Sequence, residues 1–131
     1  MSDLEERIGE AFELGEALTV IGPKLQRGQP APAFTLDSLD APDGAMTAVS
    51  LADSQGTIRL LNVINSIDTP VCQVGSRKWD QQLPDLGPAV RVYTISMDLP
   101  FALARWRAAE DVTHQLLSSH RDDRLDRKSV V

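Results

Sequence analysis

The stretch Ile58-Arg59-Leu60-Leu61-Asn62-Val63-Ile64-Asn65-Ser66-Ile67-Asp68-Thr69-Pro70-Val71-Cys72 decides how this chain is read. From Ile58 to Ile64 it is nearly continuously apolar and rich in branched side chains, the pattern of a strand covered on both faces, and it predicts the centre of a sheet. Pro70 to Leu83 then places Val71, Val74, Trp79 and Leu83 at roughly helical spacing and predicts a helix that stops at Pro84. Thr69 fits the N-cap of that helix and Pro70 its first position, where the missing N–H costs nothing. Cys72 then falls at N3, with its sulfur near backbone donors that the first turn leaves unpaired. It is the only cysteine among 131 residues. A thiol so placed ionises more easily than a free one, and the thiolate is the nucleophilic form.

Outward from this stretch, strands and helices alternate. Val90 to Ser96 predicts a second buried strand, Pro100 to about Ala109 a second helix capped by Asp98, and Val112 to Leu117 a further strand. Toward the N-terminus, Phe12 to Ile21 alternates around Gly15-Glu16 and predicts a small hairpin, while Gln29-Pro30-Ala31-Pro32 forbids regular structure. Short strands are expected at Ala33 to Leu36 and Val49 to Leu51. Ser2 with Glu5 has the spacing of a capping box and predicts a short helical extension over residues 1–11. The alternation implies an α/β fold with a partly parallel sheet and helices on its faces.

The bulk properties narrow the function classes. The length suits one compact domain over residues 1–131. A net charge of -6 and a pI near 4.8 argue against nucleic acid as a partner. No apolar run reaches the roughly 20 residues a membrane span needs, and the acidic start is unlike a signal peptide, so a cytoplasmic location is expected. One cysteine cannot form an internal disulfide. His114 and His120 lack a cysteine or acidic cluster at metal-ligand spacing, so neither a metal nor another cofactor is expected. Trp79 and Trp106 read as core, and Glu5, Glu6 and Glu10 as a solvated face.

The residues from Ser66 to Cys72 resemble the active-site loop of the thiol peroxidase branch of the peroxiredoxins. Arg77-Lys78-Trp79, Met97-Asp98-Leu99-Pro100-Phe101-Ala102 with Arg105-Trp106, the hairpin and Ala31-Pro32-Ala33-Phe34-Thr35-Leu36 are similar to further segments of that branch. The resemblance implies a thioredoxin-like three-layer sandwich with an N-terminal hairpin. It also implies that Cys72 attacks a hydroperoxide, that Thr69 orients thiolate and peroxide with its hydroxyl, and that the protein works as a homodimer.

Three positions depart from the branch's pattern. Asn65 stands where the family has a proline seven residues before the reactive cysteine. Arg107 stands where the branch has its resolving cysteine, so thioredoxin, a glutaredoxin system or a small thiol is expected to reduce oxidised Cys72. The similarity fades at Arg121, residues 122–131 read as a divergent tail, and the family's C-terminal strands, last helix and thiolate-binding Arg are expected to be missing. Arg77 is no substitute, because five residues along a helix turn it about 140° from Cys72. The other reading left by these departures is a catalytically silent thioredoxin-like module or a redox sensor.

Overall fold

A computed structural model describes residues 5–121. Two antiparallel strands, β1 (Glu6–Glu13) and β2 (Glu16–Ile21), form a separate hairpin. The turn lies at Leu14-Gly15, where φ is 49° and 84°, one residue before the Gly15-Glu16 turn read from the sequence. Glu16 already pairs with Glu13. Instead of the expected helical extension, residues 6–11 belong to β1; Ser2 lies outside the described residues. Gly9, at φ 83°, explains the difference: it is a poor helix former and sits at the irregularity in register between Ile8 and Ala11.

The remaining strands are β3 (Thr35–Ser38), β4 (Thr47–Ser50), β5 (Ile58–Val63), β6 (Val90–Ser96) and β7 (Gln115–Ser118), with helix α1 (Pro70–Leu86) between β5 and β6 and α2 (Pro100–Ala109) between β6 and β7. They form one sheet in the order β4-β3-β7-β6-β5. β5, β6 and β7 run parallel, while β3 is antiparallel to both β4 and β7. β5 is therefore an edge strand among the described residues, not the centre that its apolar run implied. The run reports which faces are covered and carries no information on how many neighbours flank the strand. Ile58 at its start is 66% exposed.

Register assigns the two faces. Asn62, Thr94 and Leu116 lie side by side across β5, β6 and β7, and both helices meet this face: Ser76 of α1 at Asn62, and Leu103 and Trp106 of α2 around Leu116. Trp106 is buried as expected, whereas Trp79 is only half-buried. On the opposite face Tyr93, Ile95 and Leu117 join Phe34, Leu36 and Val49 in the second apolar cluster. Phe34 and Tyr93 meet edge to face at 6.4 Å. α1 does not stop at Pro84 but runs through it to Leu86, and Gly87 at φ 86° ends it by donating its N–H to the Leu83 carbonyl.

A polar network crosses the helix-bearing face. Asp80 Oδ1 on α1 accepts the backbone N–H of Thr113 and of His114, each at 2.9 Å, and lies 2.9 Å from His114 Nδ1. His114 Nε2 is 2.7 Å from Thr94 Oγ1, which in turn accepts from Asn62 Nδ2 at 3.1 Å. These partners assign the imidazole as neutral: Nδ1–H donates to Asp80, and Nε2 accepts the Thr94 hydroxyl proton. Burial pushes the His114 pKa down, opposed by the Asp80 carboxylate and aided by Arg107. Burial pushes Asp80 up, but the hydrogen bonds from His114 and Thr113 outweigh it and hold its pKa low.

Leu117 is fully buried in the Phe34 cluster, so Leu117→Ala is expected to cost about 2–5 kcal/mol, read from denaturant midpoints. The pH dependence has a definite sign. Both native pKa values lie below those of the unfolded chain, so the unfolded state binds more protons. Stability is therefore complete above the ordinary histidine value of 6.5 and falls as pH drops below it, with a second loss below the ordinary aspartate value of 3.8. Thermal unfolding between pH 5 and 7 checks this: His114→Gln is expected to flatten the slope that the unsubstituted chain shows.

Candidate active site

Cys72 sits at the carboxyl ends of the parallel strands, where open α/β sheets place their sites. β5 ends at Val63, and the Ile64 N–H still bonds the Ile95 carbonyl at 2.9 Å. Residues 65–69 then turn the chain into α1, whose N-cap is Thr69, with Pro70 at the first helical position as the sequence indicated. Cys72 follows at N3, half-buried and unpaired with any other cysteine.

Thr69 does not cap the helix with its side chain. Its hydroxyl donates to the Ser66 carbonyl at 2.9 Å and also lies in hydrogen-bonding reach of the Cys72 sulfur. A hydroxyl has one proton, so it serves one acceptor at a time, and an ionised sulfur is the stronger acceptor. Burial pushes the Cys72 thiol up, but the Thr69 side chain and the backbones of Ser66 and Asn65 hydrogen-bond the sulfur. Together these outweigh burial and the nearby charge of Asp98, and the pKa is depressed from the ordinary value. The donors thus come from the loop before the helix, whereas the sequence pointed to the helix's own first turn. Asn65, exposed, meets the sulfur through its backbone.

Asp98 occupies a place that sequence reasoning missed. It was expected to cap α2, but the N-cap is Leu99, which makes no side-chain capping bond. The Asp98 carboxylate instead points back at the Cys72 loop. Its Oδ1 accepts the Ser66 hydroxyl at 2.9 Å, and its Oδ2 accepts the Ile67 N–H at 2.7 Å and the Ser96 hydroxyl at 2.6 Å. The Ser118 hydroxyl donates to the Asp98 carbonyl. The available signal was position: Ser66 and Asp98 both follow strands that the alternating pattern reads as parallel, without saying which strands are neighbours.

The arginines and histidines lie elsewhere. Arg77 turns away from Cys72 and pairs with Glu110 at 2.6 Å, tying α1 to the end of α2. Arg107, at the position matching a resolving cysteine, donates to the carbonyls of His114 at 3.0 Å and Thr113 at 2.8 Å. The groups acting most strongly on Cys72 include no cation. His114 is engaged by Asp80 and Thr94, and His120 Nδ1 lies 2.9 Å from Ser118 Oγ. Among the described residues no group of three or more His, Cys, Asp or Glu is arranged to hold a metal ion, and no helix is long and apolar enough to cross a membrane.

The chain is similar to known proteins in sequence and in fold. Residues 27–128 match the family model described as AhpC/TSA family. The chain is 40% identical over 109 residues to the thiol peroxidase of Bacillus subtilis (strain 168), covering 82% of this chain and 62% of that protein. It is 39% identical over 119 residues to the thiol peroxidase of Streptococcus gordonii, covering 90% and 69%. Among solved structures, the peroxiredoxin-like protein from Aquifex aeolicus superposes with a TM-score of 0.70 at 27% identity, over 82% of this chain and 60% of that one. The thiol peroxidase from Chromobacterium violaceum gives 0.67 at 25%, over 82% and 59%. The chain thus spans about 62% of the length of the first of these curated relatives. With the α/β architecture of these neighbours, and a family match that includes the loop carrying Cys72, the chain belongs to the AhpC/TSA family of peroxiredoxins.

Proposed function

We propose that this chain is a thiol-dependent peroxidase that reduces hydrogen peroxide and organic hydroperoxides through Cys72. The observation that carries the reading is the placement of Cys72 at N3 of α1, beneath a 65–69 loop whose Thr69 hydroxyl and Ser66 and Asn65 backbones face the sulfur and favour its ionised form. The thiolate attacks one peroxide oxygen in line, the O–O bond breaks, and the departing oxygen leaves as water or an alcohol after taking a proton. Sulfur loses two electrons and becomes a sulfenic acid. The Thr69 hydroxyl holds the sulfur and, once the peroxide is bound, orients it.

Reduction comes from outside the chain. Arg107 is fastened to the Thr113 and His114 carbonyls and brings no second thiol. A thiol of thioredoxin or of a small reductant attacks the sulfenic sulfur, water leaves, and a mixed disulfide forms. A second thiol then releases Cys72 and carries away the disulfide. We read the protein as a single domain that works in the cytoplasm as a homodimer, a reading supported by the one free thiol and by the side of β5 that has no strand partner among the described residues. The same Arg107 geometry favours a second reading, a redox sensor in which the attacking thiol belongs to a regulated partner that stays bound.

Peroxide consumption with a dithiol reductant is expected from the unsubstituted chain and lost in Cys72→Ser; equal rates in the two would sink the peroxidase reading. A covalent partner trapped under peroxide without turnover would favour the sensor. Thr69→Val removes a hydrogen bond worth about 1 kcal/mol, so the Cys72 pKa is expected to rise by just under about one unit. The pH dependence of alkylation by iodoacetamide reads that shift directly.

A further inference from the structure

We propose that Asp98 is the positioning residue of this site: its carboxylate holds the 65–69 loop so that the loop's donors meet the Cys72 sulfur. The proposal rests on the thiol-peroxidase reading and adds the group that makes the loop competent.

One loop and one strand end converge on this carboxylate: it takes the Ser66 hydroxyl and the Ile67 N–H, 32 and 31 residues away in sequence, and the Ser96 hydroxyl from the end of β6. Three donors meet on its two oxygens, whose lone pairs are enough to accept all of them. The carboxylate is pinned from behind. Ser96 is fully buried on β6, the Asp98 N–H returns to Ser96 Oγ at 3.2 Å, and Ser118, equally buried on β7, donates its hydroxyl to the Asp98 carbonyl. Ile67, also fully buried, fixes the loop's other side against Leu103 and Trp106. The carboxylate is therefore anchored to two strands, and the loop takes its position from the carboxylate. Ser66, held at its hydroxyl by Asp98, is the same residue whose backbone reaches Cys72 and whose carbonyl receives the Thr69 hydroxyl.

The charge of Asp98 itself opposes thiolate formation. A residue serving only the acidity of Cys72 would not be an acid, so geometry outweighs charge at this position. That conflict gives the test its resolving power, because removing the anchor and removing the charge push Cys72 in opposite directions.

The experiment follows Cys72 alkylation by iodoacetamide against pH, together with peroxide consumption, in the unsubstituted chain, Asp98→Ala and Asp98→Asn. In Asp98→Ala the loop donors are released, and the alkylation midpoint is expected to move up, with about tenfold less thiolate at pH 7 for each unit. In Asp98→Asn one acceptor oxygen remains and the charge is gone, so the midpoint is expected to stay or move down. A merely structural role would not separate the two variants in this way. A midpoint in Asp98→Ala that is unchanged or lowered overturns the proposal. Should Asp98→Ala fail to fold, Ser66→Ala removes a single donor to the carboxylate. Its midpoint is expected to rise, and an unchanged value overturns the proposal equally. An ordinary thiol midpoint in the unsubstituted chain would instead count against the peroxidase reading, so the two failures are distinguishable.

Discussion

Parallel pairing of β5 with β6, unbroken from Ile58↔Val90 to Val63↔Ile95, is the constraint on which the site depends. Because the register is continuous, the two strands end side by side, and the loops that follow them emerge at the same level of the sheet. Only then can Asp98, two residues beyond the end of β6, reach Ser66 and Ile67, three and four residues beyond the end of β5. A slip of one residue would turn Asn62 and Thr94 to opposite faces and carry the whole loop out of reach. The Ile64 N–H bond to Ile95 extends the ladder one step past β5 and delays the divergence of the two chains.

Magnitudes show which part of this frame charges the sulfur. A helix N-terminus supplies about 0.3–1 kcal/mol, too little to bring a thiol near neutrality. A hydrogen bond contributes about 1 kcal/mol, rising to roughly 1.5–3 when the acceptor is charged, and the loop sends such bonds to Cys72 from the Thr69 side chain and from two backbones. The loop therefore outweighs the helix end, and the site's acidity is a consequence of loop geometry. Burial and the Asp98 charge work against it, which makes the outcome a balance sensitive to small displacements of residues 65–69.

Much of this was legible before the structure. The Val90–Ser96 strand and the helix from Pro100 to Ala109 stand where their patterns put them, because each is a long segment with one dominant period. Thr69-Pro70 marked the start of α1 correctly because a proline at the first helical position is a local signal that needs no side-chain cap. What failed depended on partners distant in sequence. Residues 6–11, where Gly9 already disfavours a helix, pair as a strand with residues 18–21, and β5 lies at an edge of the described sheet because of the strand order. The same limit hid Asp98. A short acid just before a helix reads as a cap, and its recruitment by Ser66 and Ile67, across 32 and 31 residues, requires knowing which strands are neighbours.

The helix-bearing face also carries a polar stripe, Asn62, Thr94 and His114, where apolar side chains would pack at less risk. Each such group left without a partner in the interior costs about 1–3 kcal/mol, so the stripe is tolerable only when every member is bonded. Asn62 reaches Ser76 and Thr94, Thr94 reaches His114, and His114 reaches Asp80, so the stripe closes on α1 at two points one turn apart. Apolar contacts would let α1 slide or rotate at little cost, because dispersion is non-directional. Directional bonds at Ser76 and Asp80 do not. Ser76 lies one helical turn beyond Cys72, so the bonds that fix its rotation also fix the direction in which the sulfur leaves the helix. The polar stripe on the sheet and the carboxylate at the strand ends thus constrain the same atom from opposite sides, one through the helix that carries it and the other through the loop that donates to it.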